Sequence, residues 1–257
     1  VIHPTAIVHP GAELGADVEI GPYTLVGENV RIGARTRLYA HVVVNGKTVI
    51  GEDVQIYPFC SVGAPSQDRK VEVGEESLTT IGDRTILREY VSVHRGTADA
   101  GGITSIGTDC LLLAYTHVAH NCRLGNFVTM SNLAQLAGHV IVEDYALIGA
   151  MAGVHQFVRI GAHAFVGGYT KLVRDLPPYF LCEGNPAEMH GLNTVGLRRA
   201  GFAREVLVEL KEAYKTLYRS DLNVSHAVAA LRESAQSDQA RALIAFIETP
   251  SERGILK

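Results

Sequence analysis

The chain has no tryptophan and only 7% aromatic residues, although 47% of its 257 residues are hydrophobic. A core with so few large rings must be filled by small and β-branched aliphatics. The four cysteines, Cys60, Cys110, Cys122 and Cys182, form no CxxC pair and no spacing typical of a disulfide framework. Positive charge is not in excess: the net charge of −4 offers no basic field for nucleic acid. No apolar run approaches the roughly 18 residues that a membrane span requires. The opening VIHPTAIVHP has neither the basic nor the apolar region of a secretory signal. The expected setting is therefore soluble, reducing and cytoplasmic, with no integral membrane association. The length allows one large or two ordinary domains.

What the chain does have is a period of six. An aliphatic residue falls at Ile2, Val8, Leu14, Ile20, Val26, Ile32, Leu38, Val44, Ile50, Ile56 and Val62 without a miss. The pattern resumes at Ile81, Leu87 and Val93, and again from Ile106 through Leu172. Four residues after each aliphatic comes a small or β-branched residue, such as Ala6, Thr24, Cys110, Thr116 or Ala134. Neither the helical nor the strand period explains six. A parallel β-helix does, with each hexapeptide supplying a short strand and a turn, and three faces making a coil of 18 residues. The aliphatic and the small residue then point inward, so Cys60, Cys110 and Cys122 read as core filler. Glycine often follows the aliphatic, as in IGPYTL and IGARTR, and is expected to take turn conformations with positive φ. About ten coils at a strand spacing of roughly 4.8 Å would make a prism on the order of 48 Å tall.

The period lapses near 66–80 and 97–105, where polar or glycine-rich stretches are expected to leave the prism as loops, the usual place for function in a solenoid. The expected division is a β-helix over 1–190 and a helical C-terminal domain over 191–257. In the latter, NTVGLRRAGFAREVLVELKEAYKTLYRS carries Phe202, Val206, Leu210, Tyr214 and Leu217 on one stripe, with shorter amphipathic segments near 225–235 and 238–248. The helical part carries ten Lys and Arg against eight Asp and Glu, and the prism thirteen against nineteen. A partner attracted by charge would therefore meet opposite signs on the two parts.

At 116–122 the chain reads THVAHNC. Counting by 18 from His120 leads to Gly138 and Gln156, and from Asn121 to His139 and Phe157. His120, Gly138, His139, His155 and Gln156 should therefore share one edge of the prism, with His117 just before the turn. Three readings compete: polar turn residues at a subunit interface, a metal site of the kind found in β-helical hydratases, or a general base. A base needs an orienting neighbour and an N–H donor for a developing oxyanion, and Gly138 stacked on His120 could supply that donor. The last reading fits best.

The hexapeptide prism, the loop with QDRK, REYVSVHRGT, AYTHVAHNC, LAGHV, GVHQFVRIGAH, GNPAE and LRRAGF together resemble the bacterial UDP-N-acetylglucosamine O-acyltransferases, over essentially the whole chain. The resemblance implies a mainly β protein, a left-handed parallel β-helix followed by a small α-helical C-terminal domain, assembled as a homotrimer with sites between neighbouring subunits. It implies transfer of an (R)-3-hydroxyacyl group from acyl carrier protein to the 3-hydroxyl of the UDP-sugar in the first step of lipid A synthesis, without metal or cofactor. Matched motif by motif, His120 takes the role of base, helped by Asn121, and Gly138 that of oxyanion donor. Asp68, Lys70, His117, His139, His155 and Gln156 take substrate-binding roles, and Asn193 and Arg199 contact uridine and phosphate. Gly168 falls where acyl length is limited, and a small residue there implies a longer groove.

Two departures stand out. The family usually carries aspartate after the catalytic histidine, where this chain has Asn121, and often glutamate where it has Val195. Asparagine can orient an imidazole but cannot stabilise the imidazolium with a full charge. Some relatives acylate a 3-amino sugar, whose nucleophile needs less help from a base. The 3-amino analogue is therefore an alternative acceptor, and a metal-dependent β-helical hydratase a more remote alternative function.

Overall fold

Each hexad forms one step of a flat wall. In the computed structural model, described for residues 1–68, 77–98 and 101–257, most strands are two residues long and end on the periodic aliphatic, from Ile7–Val8 to Lys171–Leu172. Every third strand is a neighbour, so among the described residues the strands form three sheets of nine, eight and ten members. Pairing is parallel with a register of 18 residues, as in Ile7↔Leu25 and His117↔Gln135. Across the two lapses the register lengthens. Lys47 pairs with Leu78 and Leu78 with Ile103, which marks where the chain re-enters the wall. Among the described residues the one antiparallel pair, Phe180–Glu183 with Glu188–Leu192, closes the top of the ten-stranded sheet.

Inside the prism large and small side chains alternate. Leu112, Leu136, Ile148 and Ile160 are fully buried beside Cys110, Cys122, Val128 and Ala134. Some inward threonines satisfy their hydroxyls on main-chain carbonyls, Thr24 Oγ1 donating to Tyr39 O at 2.7 Å and Thr36 Oγ1 to Gly51 O at 2.8 Å, whereas those of Thr79 and Thr116 are buried without a partner among the described residues. All four cysteines are free and buried, and burial pushes the Cys122 thiol up to about 12, so it is no nucleophile.

Most glycines after the aliphatics do a different job from the one expected, although Gly63 does take φ +77°. Positive φ otherwise occurs two residues later, at Asp17, Tyr23, Arg35, Asp53, Phe127 and their equivalents. The glycines instead let coils stack closely: a Cβ on Gly33 would lie 2.5 Å from the Gly51 carbonyl carbon, and one on Gly82 2.5 Å from that of Gly107. Left-handed backbone costs a non-glycine residue roughly 1–2 kcal/mol, and side-chain ladders at the corners offset it. Tyr23, His41, Phe59, Tyr90 and Tyr115 stack at 4.7–5.1 Å up one corner. Another carries the Arg35–Asp53 and Arg84–Asp109 ion pairs and then the Phe127–Tyr145–His163 stack, with 4.6 Å between successive rings.

The helical part comprises α1 (Thr194–Arg199), α2 (Arg204–Tyr218), α3 (Val224–Ser234) and α4 (Asp238–Glu248). The stretch expected as one periodic run is broken because Gly201 adopts φ +81°, ending α1 before α2 begins. Leu210, Ala213 and Leu217 bury one face of α2, while Tyr214 and Tyr218 pack edge-on against Phe180. The C-terminal tail returns to the prism, where Leu256 N donates to Asp175 O and Asp175 N to Gly254 O, at 2.8 and 2.9 Å. Among the described residues no helix is long and apolar enough to cross a membrane.

Candidate active site

The third corner is turned by Asn121, His139 and Phe157 at φ 59°, 63° and 66°. His120 precedes the first of these and is tied to the next coil by His139 N, which donates to His120 O at 3.0 Å. Its imidazole lies over Gly138, where a Cβ would sit 2.6 Å from Nε2. Among the described residues the Gly138 N–H makes no hydrogen bond, while its carbonyl accepts from Phe157 N at 3.1 Å. His139 meets His120 edge-on at 5.0 Å and stacks on Phe157 at 4.5 Å.

Asn121 is only 6% exposed. Its Oδ1 lies 2.8 Å from His120 Nδ1 and accepts from Thr97 N and Thr97 Oγ1 at 3.0 and 2.7 Å. Its Nδ2 donates to Thr97 O at 3.1 Å, and its main-chain N donates to Thr104 Oγ1 at 2.8 Å. The left-handed backbone suits asparagine, which adopts it more readily than most residues.

Three residues earlier in the same coil, His117 Nδ1 is 2.7 Å from Ser92 Oγ of the coil below, and its ring meets His94 edge-on at 4.7 Å. Burial, then the proximity of His94 and His120, pushes the His117 imidazole down to about 4, and burial also lowers His94. Both rings are therefore neutral at neutral pH. Above His117 a shallow, mostly apolar groove of about 360 Å³ runs past Ala119, Ala137, Gly153 and Leu172 to His155 and Lys171. Gln156 is exposed at the same corner, where its carbonyl accepts from Arg253 Nε of the returning tail at 2.9 Å. Among the described residues no three His, Cys, Asp or Glu side chains converge as a metal cage.

His117, His120, Asn121, Gly138, His139, His155 and Gln156 thus gather at one corner. Other candidates lie elsewhere. Asn193 caps α1, accepting from Gly196 N at 3.1 Å, and donates to His163 O at 3.0 Å, which places it by the Tyr145–His163 corner, while Arg199 is exposed at the end of α1. Gly168 precedes Tyr169 at the corner of the tyrosine ladder, against Ala150. Asp68 is exposed beyond the strand Ser61–Ala64, and Lys70 lies outside the described residues. Sequence reading missed Thr97 and His94. Thr97 lies in a lapse of the period, where counting by 18 assigns no neighbours; His94 was legible only as part of REYVSVHRGT.

A hexapeptide prism with an imidazole against a glycine at one corner has the features of a hexapeptide-repeat acyltransferase. Residues 11–46 match a bacterial transferase hexapeptide profile, and residues 175–256 match a profile for domain 2 of UDP-N-acetylglucosamine O-acyltransferase. The UDP-N-acetylglucosamine acyltransferase of Francisella novicida is 37% identical with a TM-score of 0.97, the alignment covering 100% of this chain and 94% of that one. LpxA of Acinetobacter baumannii is 39% identical with a TM-score of 0.96, covering 100% and 99%. LpxA of Bacteroides fragilis, also a UDP-N-acetylglucosamine acyltransferase, is 36% identical with a TM-score of 0.96, covering 100% of both. The chain belongs to the UDP-N-acetylglucosamine O-acyltransferase family, and its prism is a left-handed parallel β-helix.

Proposed function

We propose that this protein transfers an (R)-3-hydroxyacyl group from acyl carrier protein to the 3-position of UDP-N-acetylglucosamine in the cytoplasm, as the first step of lipid A synthesis. The apposition of His120 and Gly138 carries the mechanism. Nε2 of His120 removes the proton of the sugar hydroxyl as its oxygen attacks the thioester carbonyl carbon. The Gly138 N–H receives the tetrahedral oxyanion; collapse breaks the C–S bond, and the imidazolium returns the proton to the departing thiolate. His117, His139, His155 and Gln156 line the approach, and Asp68 and Lys70 take the role of contacts to the sugar nucleotide that their QDRK motif implies.

Asn193 and Gly168 sit by other corners of the same prism and Arg199 on the helix that Asn193 caps, so they serve a site completed by a neighbouring subunit of a homotrimer. The guanidinium of Arg199 suits a phosphate by its fork of donors. The net positive helical part receives the acidic carrier protein. His120→Ala should lower kcat by roughly 10²–10⁴ with unchanged thermal unfolding; a near-wild-type rate would reject the assignment.

A second reading concerns the acceptor. The ring of His120 is oriented by a neutral carboxamide, not by a carboxylate, which suits a nucleophile that gives up its proton late, such as the 3-amino analogue. Assaying both UDP-sugars with one acyl donor decides it, and strong preference for the hydroxyl sugar removes this reading.

A further inference from the structure

The two ends of the Asn121 carboxamide meet different main-chain groups of one residue. Oδ1 faces the N–H of Thr97 at 3.0 Å, and Nδ2 faces its C=O at 3.1 Å. Turned over, the amide would set donor against donor and acceptor against acceptor, and main-chain groups cannot exchange roles. The orientation is therefore imposed, and Oδ1 is the end presented to Nδ1 of His120 at 2.8 Å. An amide oxygen only accepts, so Nδ1 must carry the ring proton and Nε2, over Gly138, must be bare. The Thr97 hydroxyl reinforces this by donating to Oδ1 at 2.7 Å, whereas at 3.4 Å from Nδ1 it is too distant to compete for the ring.

We propose that Thr97 is a positioning residue that sets the tautomer of His120 by holding the Asn121 carboxamide one way round. The proposal rests on His120 being the base, and it concerns a need that a carboxylate in place of Asn121 would not have. Either oxygen of an aspartate accepts, so no orientation has to be enforced. An asparagine turned over would present an N–H to Nδ1 and move the ring proton to Nε2, where it blocks proton removal.

The test is histidine ¹⁵N NMR on the intact protein, with the His120 signals identified by their loss in His120→Ala. Wild type should show Nδ1 protonated and Nε2 bare. Thr97→Val keeps the main chain but removes the hydroxyl. It should admit some of the other tautomer and lower kcat roughly 3- to 10-fold, the worth of one hydrogen bond, with KM unchanged. Thr97→Ser should restore both. In an Asn121→Asp background the same Thr97→Val change should cost little, a coupling that merely structural damage would not produce. A proton on Nε2 in the wild type, or an equal cost of Thr97→Val in both backgrounds, overturns the proposal. Near-wild-type activity of His120→Ala with the expected tautomer would instead reject His120 as base and leave Thr97 fixing an idle ring.

Discussion

A side chain at Gly138 would begin 2.6 Å from Nε2 of His120. The histidine ring and the glycine are in contact across one coil, leaving no room for even a methyl group. Gly138→Ala should therefore push the imidazole aside while the prism, whose inward residues are untouched, keeps its fold. Misplacement of a catalytic group by about 1 Å costs roughly 10²-fold, so a fall in kcat of that order is expected with circular dichroism unchanged. Full activity would show that the ring adjusts without penalty.

Close stacking of the coils makes the glycines unequal. A Cβ on Gly33 meets main chain at 2.5 Å, whereas one on Gly153 meets nothing within 4 Å. Gly33→Ala should destabilise by roughly 1–3 kcal/mol through overpacking. Gly153→Ala should be neutral or stabilise by about 0.5–1 kcal/mol, since it restricts the unfolded chain and meets no obstacle. Denaturant unfolding of the two variants measures the contrast, and equal effects would contradict it.

Burial holds the His117 imidazole at about 4, down from 6.5. Between these values the unfolded chain binds a proton that the folded chain refuses, so stability falls as pH drops from 6.5 and this loss is complete below about 4. His94 is shifted the same way and adds to the slope. Thermal unfolding followed from pH 7 to 4 should show Tm falling, and His117→Gln should flatten the fall without abolishing it. An unchanged slope in the variant would rule out His117 as a contributor.

Asp175 is fully buried and accepts from both Arg159 N and Arg159 Nε, at 2.9 and 2.8 Å, while its main chain holds the returning tail. Asp175→Ala leaves a nearly buried guanidinium without its counter-charge, a loss of roughly 3–5 kcal/mol. Replacing Arg159 by methionine as well should recover part of it, because the pair then leaves no lone charge. Calorimetry of the single and double variants checks both, and a single variant as stable as wild type would refute the account.

Much of this was legible in the residues. Because each coil consumes 18 residues, the aliphatic at every sixth place marks the wall, and simple counting brought Gly138 to His120 and His139 to Asn121. The same counting was silent on Thr97, which reaches Asn121 from a stretch where the period lapses, and on Arg253, which reaches Gln156 from the C-terminal tail. The role of the glycines was misread for a related reason. A glycine's tolerance of positive φ is a property of one residue, but its use for close approach depends on what the next coil places opposite it.

The sequence by itself determined the coil, its inward face and the corner where the histidines collect, because a strict repeat makes every contact a fixed distance along the chain. Only the tertiary structure decided which way the Asn121 amide faces, and that Asn193 and Gly168 stand by other corners than His120. Those facts depend on segments outside the repeat, whose neighbours no period can number.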